Sequence, residues 1–180
     1  QGNYPQALQW FDKVDESSLS RKDQDKFNFQ KGYSFFNAKN KKEATVYLNK
    51  VVNSAEYGSQ AKYYLGFMAY EGDDYKQATK YFDEVSGEEK YKEKLSYYQA
   101  DMNFKLRKFQ KAIDYLGEFK TKDPFTNALA IGAIGDAKSE LKKSDEALEY
   151  YVKAAESHAN ELTTPRFLLK AGQLAFTLGK

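Results

Sequence analysis

Apolar positions in this chain fall into stripes with steps of three and four residues, and the stripes recur every thirty-four residues. Ala44, Leu48 and Val51 form one stripe, Ala78, Phe82 and Val85 repeat it, and Ala112, Leu116 and Phe119 repeat it again. After one extra residue it returns as Ala147, Tyr151 and Ala154. Steps of three and four put these side chains on one helical face. Twelve residues before each Ala stands a small residue, Gly32, Gly66, Ala100 or Gly135, and Gly172 takes that slot once more. Each unit therefore reads as two helices, with the small residues letting the paired backbones approach. No single pair buries its apolar face, so the units must stack.

The pattern predicts helices over 4–14, 22–38, 41–53, 57–71, 75–86, 88–105, 109–121, 125–141, 144–158 and 161–178. Turn residues separate them at Gly72-Asp73-Asp74, Ser86-Gly87, Lys122-Asp123-Pro124 and Thr163-Thr164-Pro165. The polar stretch from Asn37 to Lys42 reads as the turn inside the first full hairpin. The fold class expected is all-α: a right-handed α-solenoid of stacked antiparallel helix pairs, with about ten helices.

The second copy shows the landmarks most plainly, in Ala61-Lys-Tyr-Tyr-Leu-Gly66 followed by Gly72-Asp-Asp-Tyr75-Lys-Gln-Ala78-Thr-Lys-Tyr-Phe82-Asp-Glu-Val85. These resemble the tetratricopeptide repeat (TPR) family, a helical hairpin of this length with Leu-Gly, Tyr, Ala and Phe landmarks. The resemblance covers essentially the whole chain. It implies a half repeat at 1–19, repeats near 22–54, 57–87, 88–123 and 125–159, and a half repeat at 161–180. The family's first-helix Trp is absent, its slot holding Asn28, Lys62, Ser96, Ile131 and Leu168. Gln1-Gly2-Asn3-Tyr4 resembles the turn before a second helix, and Leu178-Gly179-Lys180 opens another turn, so both ends are expected to cut through repeats of a longer array. Residues 128–180 look like membrane-anchored, periplasm-facing TPR proteins of bacteria. The earlier units look like long multi-repeat envelope proteins. The resemblance thus implies a periplasmic or cell-envelope location. The first three units are rich in Tyr and Phe and the stretch from Asn127 to Lys143 is small and polar, a change near residue 117 that fits either two TPR proteins spliced together or, more simply, ordinary repeat divergence.

Composition narrows the function. With no cysteine among 180 residues, neither a disulfide framework nor a thiolate metal site is available. Twenty-eight basic and twenty-six acidic side chains are interspersed, as on a solvated helical surface, so no nucleic-acid footprint is expected. The longest apolar runs fall well short of a membrane span, and the first residues do not form a signal-peptide pattern.

Candidates for chemistry are few. His158 is the one histidine and falls at the end of a second helix or in the following turn. No Ser–His or Cys–His pairing can be assembled around it. Asp73-Asp74 and Glu88-Glu89 lie at turns or helix starts, where acids cap. Gly132 and Gly135 lack the strand–loop–helix setting of a phosphate loop and read as close helix packing. No catalytic residue, metal or cofactor is expected.

One feature exceeds repeat maintenance. Phe29, Tyr63 and Tyr97 share a register position, Tyr33 and Phe67 a second, and Phe36, Tyr70 and Phe104 a third. In TPR arrays the first helices line the concave surface, so the resemblance implies a row of eight rings there. Each ring side chain can bury about 150–250 Å². Eight of them, even half exposed, exceed the roughly 300–600 Å² of a typical monomer's largest apolar patch. Either the rings pack on one another or the wall is a docking site, and the two are compatible. The candidate partner-binding residues are Phe29, Tyr33, Phe36, Tyr63, Phe67, Tyr70, Tyr97, Asp101, Phe104 and Lys105. TPR domains that clamp acidic chaperone tails present Lys and Asn where this chain has Phe29, Tyr33 and Tyr63, which argues against that branch.

The leading expectation is a non-enzymatic scaffold that holds a peptide or protein segment. A second is a module taking a small apolar or glycan ligand near Phe104, Gly132 and Asp136. A third is end-to-end self-association through Trp10 and Phe11 at one end and Phe167, Leu168 and Leu174 at the other. Such head-to-tail contacts need not close.

Overall fold

The computed structural model describes residues 3–180, the Glu93 side chain excepted. Gln1 and Gly2, expected to open a turn, lie outside the described residues. Those described form ten α-helices and one short 3₁₀ turn at Glu16–Ser18, with no strand. The helices are α1 (Tyr4–Phe11), α2 (Arg21–Asn37), α3 (Lys41–Asn49), α4 (Gly58–Glu71), α5 (Tyr75–Asp83), α6 (Glu89–Lys105), α7 (Phe109–Glu118), α8 (Pro124–Glu140), α9 (Ser144–Glu156) and α10 (Thr163–Thr177). They divide into two compact units, one ending at Gly87 and the other beginning at Glu88.

Helix starts are set locally. The Asn3, Ser20, Asn40, Asp74 and Asp123 side chains each accept a hydrogen bond from a backbone N–H of the first turn. Pro5 and Pro124 sit where a helix needs no N–H. Helix ends inside the hairpins share another device. Lys39, Asp73, Arg107 and Lys142 all adopt left-handed backbone, with φ near +60°. After each, the next N–H returns to a carbonyl five residues back: Asn40 to Phe35, Asp74 to Ala69, Lys108 to Asn103 and Lys143 to Lys138. This is the Schellman closure, and it satisfies carbonyls the helix end would otherwise orphan.

Within the first unit, Ala44, Leu48 and Val51 pack with Ala61, Leu65 and Met68 into one core, all under one-tenth exposed. In the second unit, Ala147, Tyr151 and Ala154 pack with Phe167 and Ala171, while Ala100 and Leu116 pack with Ala130 and Ile134. The expected stripes are thus the buried ones. Three second helices end earlier than their apolar pattern suggests. Val51 and Val85 lie just past α3 and α5, on turns where their N–H groups bond Leu48 and Phe82 three residues back. Periodicity continues through such a turn, so it cannot mark the boundary.

The small residues have the expected reason. A Cβ added at Gly32 would lie 2.8 Å from Leu48, one at Gly66 2.5 Å from Phe82, and one at Gly135 2.8 Å from Tyr151. Gly132 faces a different neighbour, Phe167 of α10. Nothing lies within 4 Å of such an atom at Gly172.

Candidate functional site

In the first unit, Phe29, Tyr33 and Phe36 lie on α2 and Tyr63, Phe67 and Tyr70 on α4, all half-buried. Their rings pack on one another through Tyr64. The Tyr64 centroid is 6.4 Å from Phe29, 5.1 Å from Tyr33, 5.0 Å from Phe36 and 5.4 Å from Tyr63. Phe36 meets Phe67 edge-on at 6.0 Å, Phe67 lies 6.5 Å from Tyr70, and Tyr57 stacks on Phe29 at 5.0 Å. Tyr4 closes the far side edge-on to Tyr33 at 5.8 Å. A hydrogen bond with Tyr33, reinforced by desolvation, pushes the Tyr4 hydroxyl up from its ordinary range. Ring packing and partial exposure therefore coexist on this face.

Tyr64, Tyr57 and Tyr4 fall outside the three columns that sequence reading singled out. Tyr64 follows Tyr63 directly, and adjacent helical residues point apart. Its ring faces α2, whereas Tyr63 also reaches Phe82 of α5.

In the second unit, Tyr97, Asp101, Phe104 and Lys105 all lie on α6, with Tyr97 39% and Lys105 also exposed. Tyr97 packs against Phe119 at 5.7 Å, and Phe104 against Phe109 at 5.2 Å. Asp101 pairs with Lys105 one turn on, at 3.0 Å. Tyr97, Ala100, Asp101 and Phe104 are spaced i, i+3, i+4, i+7 and form one wall of a pocket of about 190 Å³. Leu116 of α7 and Ala133 and Asp136 of α8 complete it. Gly132, expected beside this pocket, is turned away and covered by Phe167.

Asp136 is held firmly. Its Oδ1 accepts hydrogen bonds from the Tyr151 hydroxyl at 2.8 Å and from the Lys170 ammonium. Burial, then the Asp136 carboxylate, pushes the Tyr151 hydroxyl well above its ordinary range. A larger, shallower groove of about 610 Å³ lies elsewhere on α8 and α9, around Ile131, Leu148 and Val152. His158 is exposed in the bend after α9. Among the described residues no cluster of His, Asp and Glu has the arrangement of a metal site. No helix there is long and apolar enough to cross a membrane.

No family model matches the chain, and no curated protein matches it by sequence. Solved structures do match it in fold. MamA AMB-1 superposes with a TM-score of 0.71 at 18% identity, covering 87% of this chain and 90% of that one. A MamA mutant gives 0.72 at 17% identity over 98% of this chain and 89% of its own. The fold is of the TPR type. MamA 41-end from Desulfovibrio magneticus RS-1 adds a TM-score of 0.69 at 18% identity, with 86% and 85% covered. In TPR terms, α2, α4, α6, α8 and α10 are first helices, and α3, α5, α7 and α9 are second helices. Every partner-binding candidate named from the sequence lies on a first helix, α2, α4 or α6.

Proposed function

We propose that this chain is a protein-interaction scaffold that holds a peptide or protein segment against its first helices. The half-buried ring cluster of α2 and α4 carries the reading. Tyr and Phe rings with a packed edge and an open face are the side chains that anchor interface hot spots at low entropic cost. The TPR fold supports the reading, since its first helices form the concave surface in the family. The MamA likeness, below 20% identity, supports the fold and leaves the partner to experiment.

The test uses peptides selected from a displayed library against the folded chain. Phe67→Gln is expected to weaken a selected peptide about tenfold, equivalent to about 1.4 kcal/mol, with the helical circular dichroism retained. Tyr81→Gln, a half-buried ring on α5 away from this face, is expected to leave binding unchanged. Equal losses in both variants, or none in either, would remove the ring face as the site.

A pocket of about 190 Å³ is smaller than the roughly 300 Å³ at which drug-sized clefts begin, so it fits one side chain better than a whole small molecule. Self-association has its own observation: Leu168, Leu169 and Phe176 of α10 are each more than half exposed, as is Trp10. Phe11 and Phe167 do not contribute, the first packing on Phe27 and the second buried over Gly132. Sedimentation velocity over a hundredfold concentration range decides this reading, and a constant monomer mass would end it.

A further inference from the structure

We propose that the pocket on α6, α7 and α8 receives an arginine side chain of the bound peptide, an assignment that rests on the interaction reading above. The repeat register shows how the pocket arises. In the first unit the rings of Phe29, Tyr33 and Phe36 surround the Tyr64 ring. Two periods later their counterparts on α6 are Tyr97, Asp101 and Phe104, and the counterpart of Tyr64 on α8 is Ala133. The pocket opens where that ring is missing. It is a space about the size of one ring, with Tyr97 and Phe104 on its α6 wall and Leu116, Ala133 and Asp136 facing them.

A second replacement sets the charge. One register column reads Tyr33, Phe67, Asp101, Asp136. The two positions that carry rings in the first unit carry carboxylates in the second, and both line the pocket. Tyr151 and Lys170 both bond Asp136 through Oδ1, and among the described residues none donates a hydrogen bond to its Oδ2. Asp101 pairs with Lys105 on the same helix in a partly exposed ion pair, a kind that contributes little to stability. Aromatic faces attract cations, and a carboxylate attracts them more. A guanidinium is the cation that is also planar, stacks on rings and is weakly hydrated, whereas an ammonium is compact and strongly hydrated. Ala100 and Leu116, both buried, line the same pocket with apolar surface suited to the arginine methylenes.

The experiment titrates the methyl- and amide-labelled chain, by NMR, with N-acetyl-arginine amide, its neutral citrulline counterpart and N-acetyl-lysine amide. Saturable shifts at the Ala100, Leu116 and Ala133 methyls are expected with arginine. Citrulline and lysine should be about tenfold weaker at those signals, and Asp101→Asn should weaken arginine by about the same factor. Ala133→Tyr restores the ring of the first unit and should abolish the response; Ala133→Leu, a smaller plug, should do so if the tyrosine variant folds poorly. Absent or non-saturating shifts, equal response to citrulline or lysine, or undiminished binding in a folded plugged variant would each overturn the proposal. If arginine is silent while selected peptides still bind the rings of α2 and α4, the pocket assignment falls alone. Loss of both removes the interaction reading as well.

Discussion

At Gly66 an added methyl group would lie 2.5 Å from the Phe82 ring, which is itself fully buried. Helix propensity alone favours Ala over Gly by about 1 kcal/mol, but overpacking of a dense core costs about 1–3 kcal/mol. Gly66→Ala is therefore expected to lower stability by up to about 2 kcal/mol, read as an earlier urea midpoint. Gly172→Ala, with nothing within 4 Å, should move the midpoint the other way by up to about 1 kcal/mol. Spacing identified both glycines as one class, and only packing separates them. The aromatic columns were legible for the same reason as the glycines, because they repeat. Tyr64 was not, since its role depends on which ring of an adjacent pair turns toward α2. Nor was the Asp136–Tyr151–Lys170 cluster, whose members come from three helices and whose side-chain bonds no single column spells out.

Among elements, the hairpin turns offer the sharpest comparison. Lys39, Arg107 and Lys142 hold left-handed backbone that a Cβ disfavours by roughly 1–2 kcal/mol. Glycine at each, as in Lys39→Gly, should stabilise by up to about 1 kcal/mol once its larger unfolded-state entropy is subtracted. The helices that follow also differ in their caps. Asn40 and Asp74 cap α3 and α5 through their side chains, whereas Lys108 and Lys143 make no side-chain cap on α7 and α9. Lys108→Asp is expected to add about 1 kcal/mol, measured by thermal or urea unfolding. The sequence located every helix but overran several second-helix ends, because a buried valine on a 3₁₀-type turn keeps the helical spacing. The thirty-fifth residue of the fourth copy falls between α7 and α8, where Asp123 closes the connection by capping α8.

For the whole molecule, stability should follow pH through its paired carboxylates. Hydrogen bonds from Lys50 and then Asn28 hold Glu16 below its ordinary 4.5, and Lys62 does the same for Glu84. Lys138 lowers Glu146, and Thr126 lowers Asp123. A carboxylate depressed in the folded state contributes stability above its unfolded value and loses it as pH falls through the folded one. Urea midpoints should therefore hold steady at about pH 6–8 and decline once pH drops below about 4.5. Lys31 acts at the other extreme: desolvation pulls its ammonium down, but hydrogen bonds to Asp12 and Tyr47 outweigh this and raise it. Its contribution is complete below its ordinary 10.5 and disappears as pH climbs through the raised value. The fold tolerates this local variety because each hairpin halts one helix and launches the next within three consecutive residues, Ala38–Asn40 in one and Gly72–Asp74 in another. Those triplets work as interchangeable couplings. Because each triplet lies inside a hairpin, a first helix can be recombined with the second helix of another copy without redrafting the joint, so new binding surfaces can be composed helix by helix.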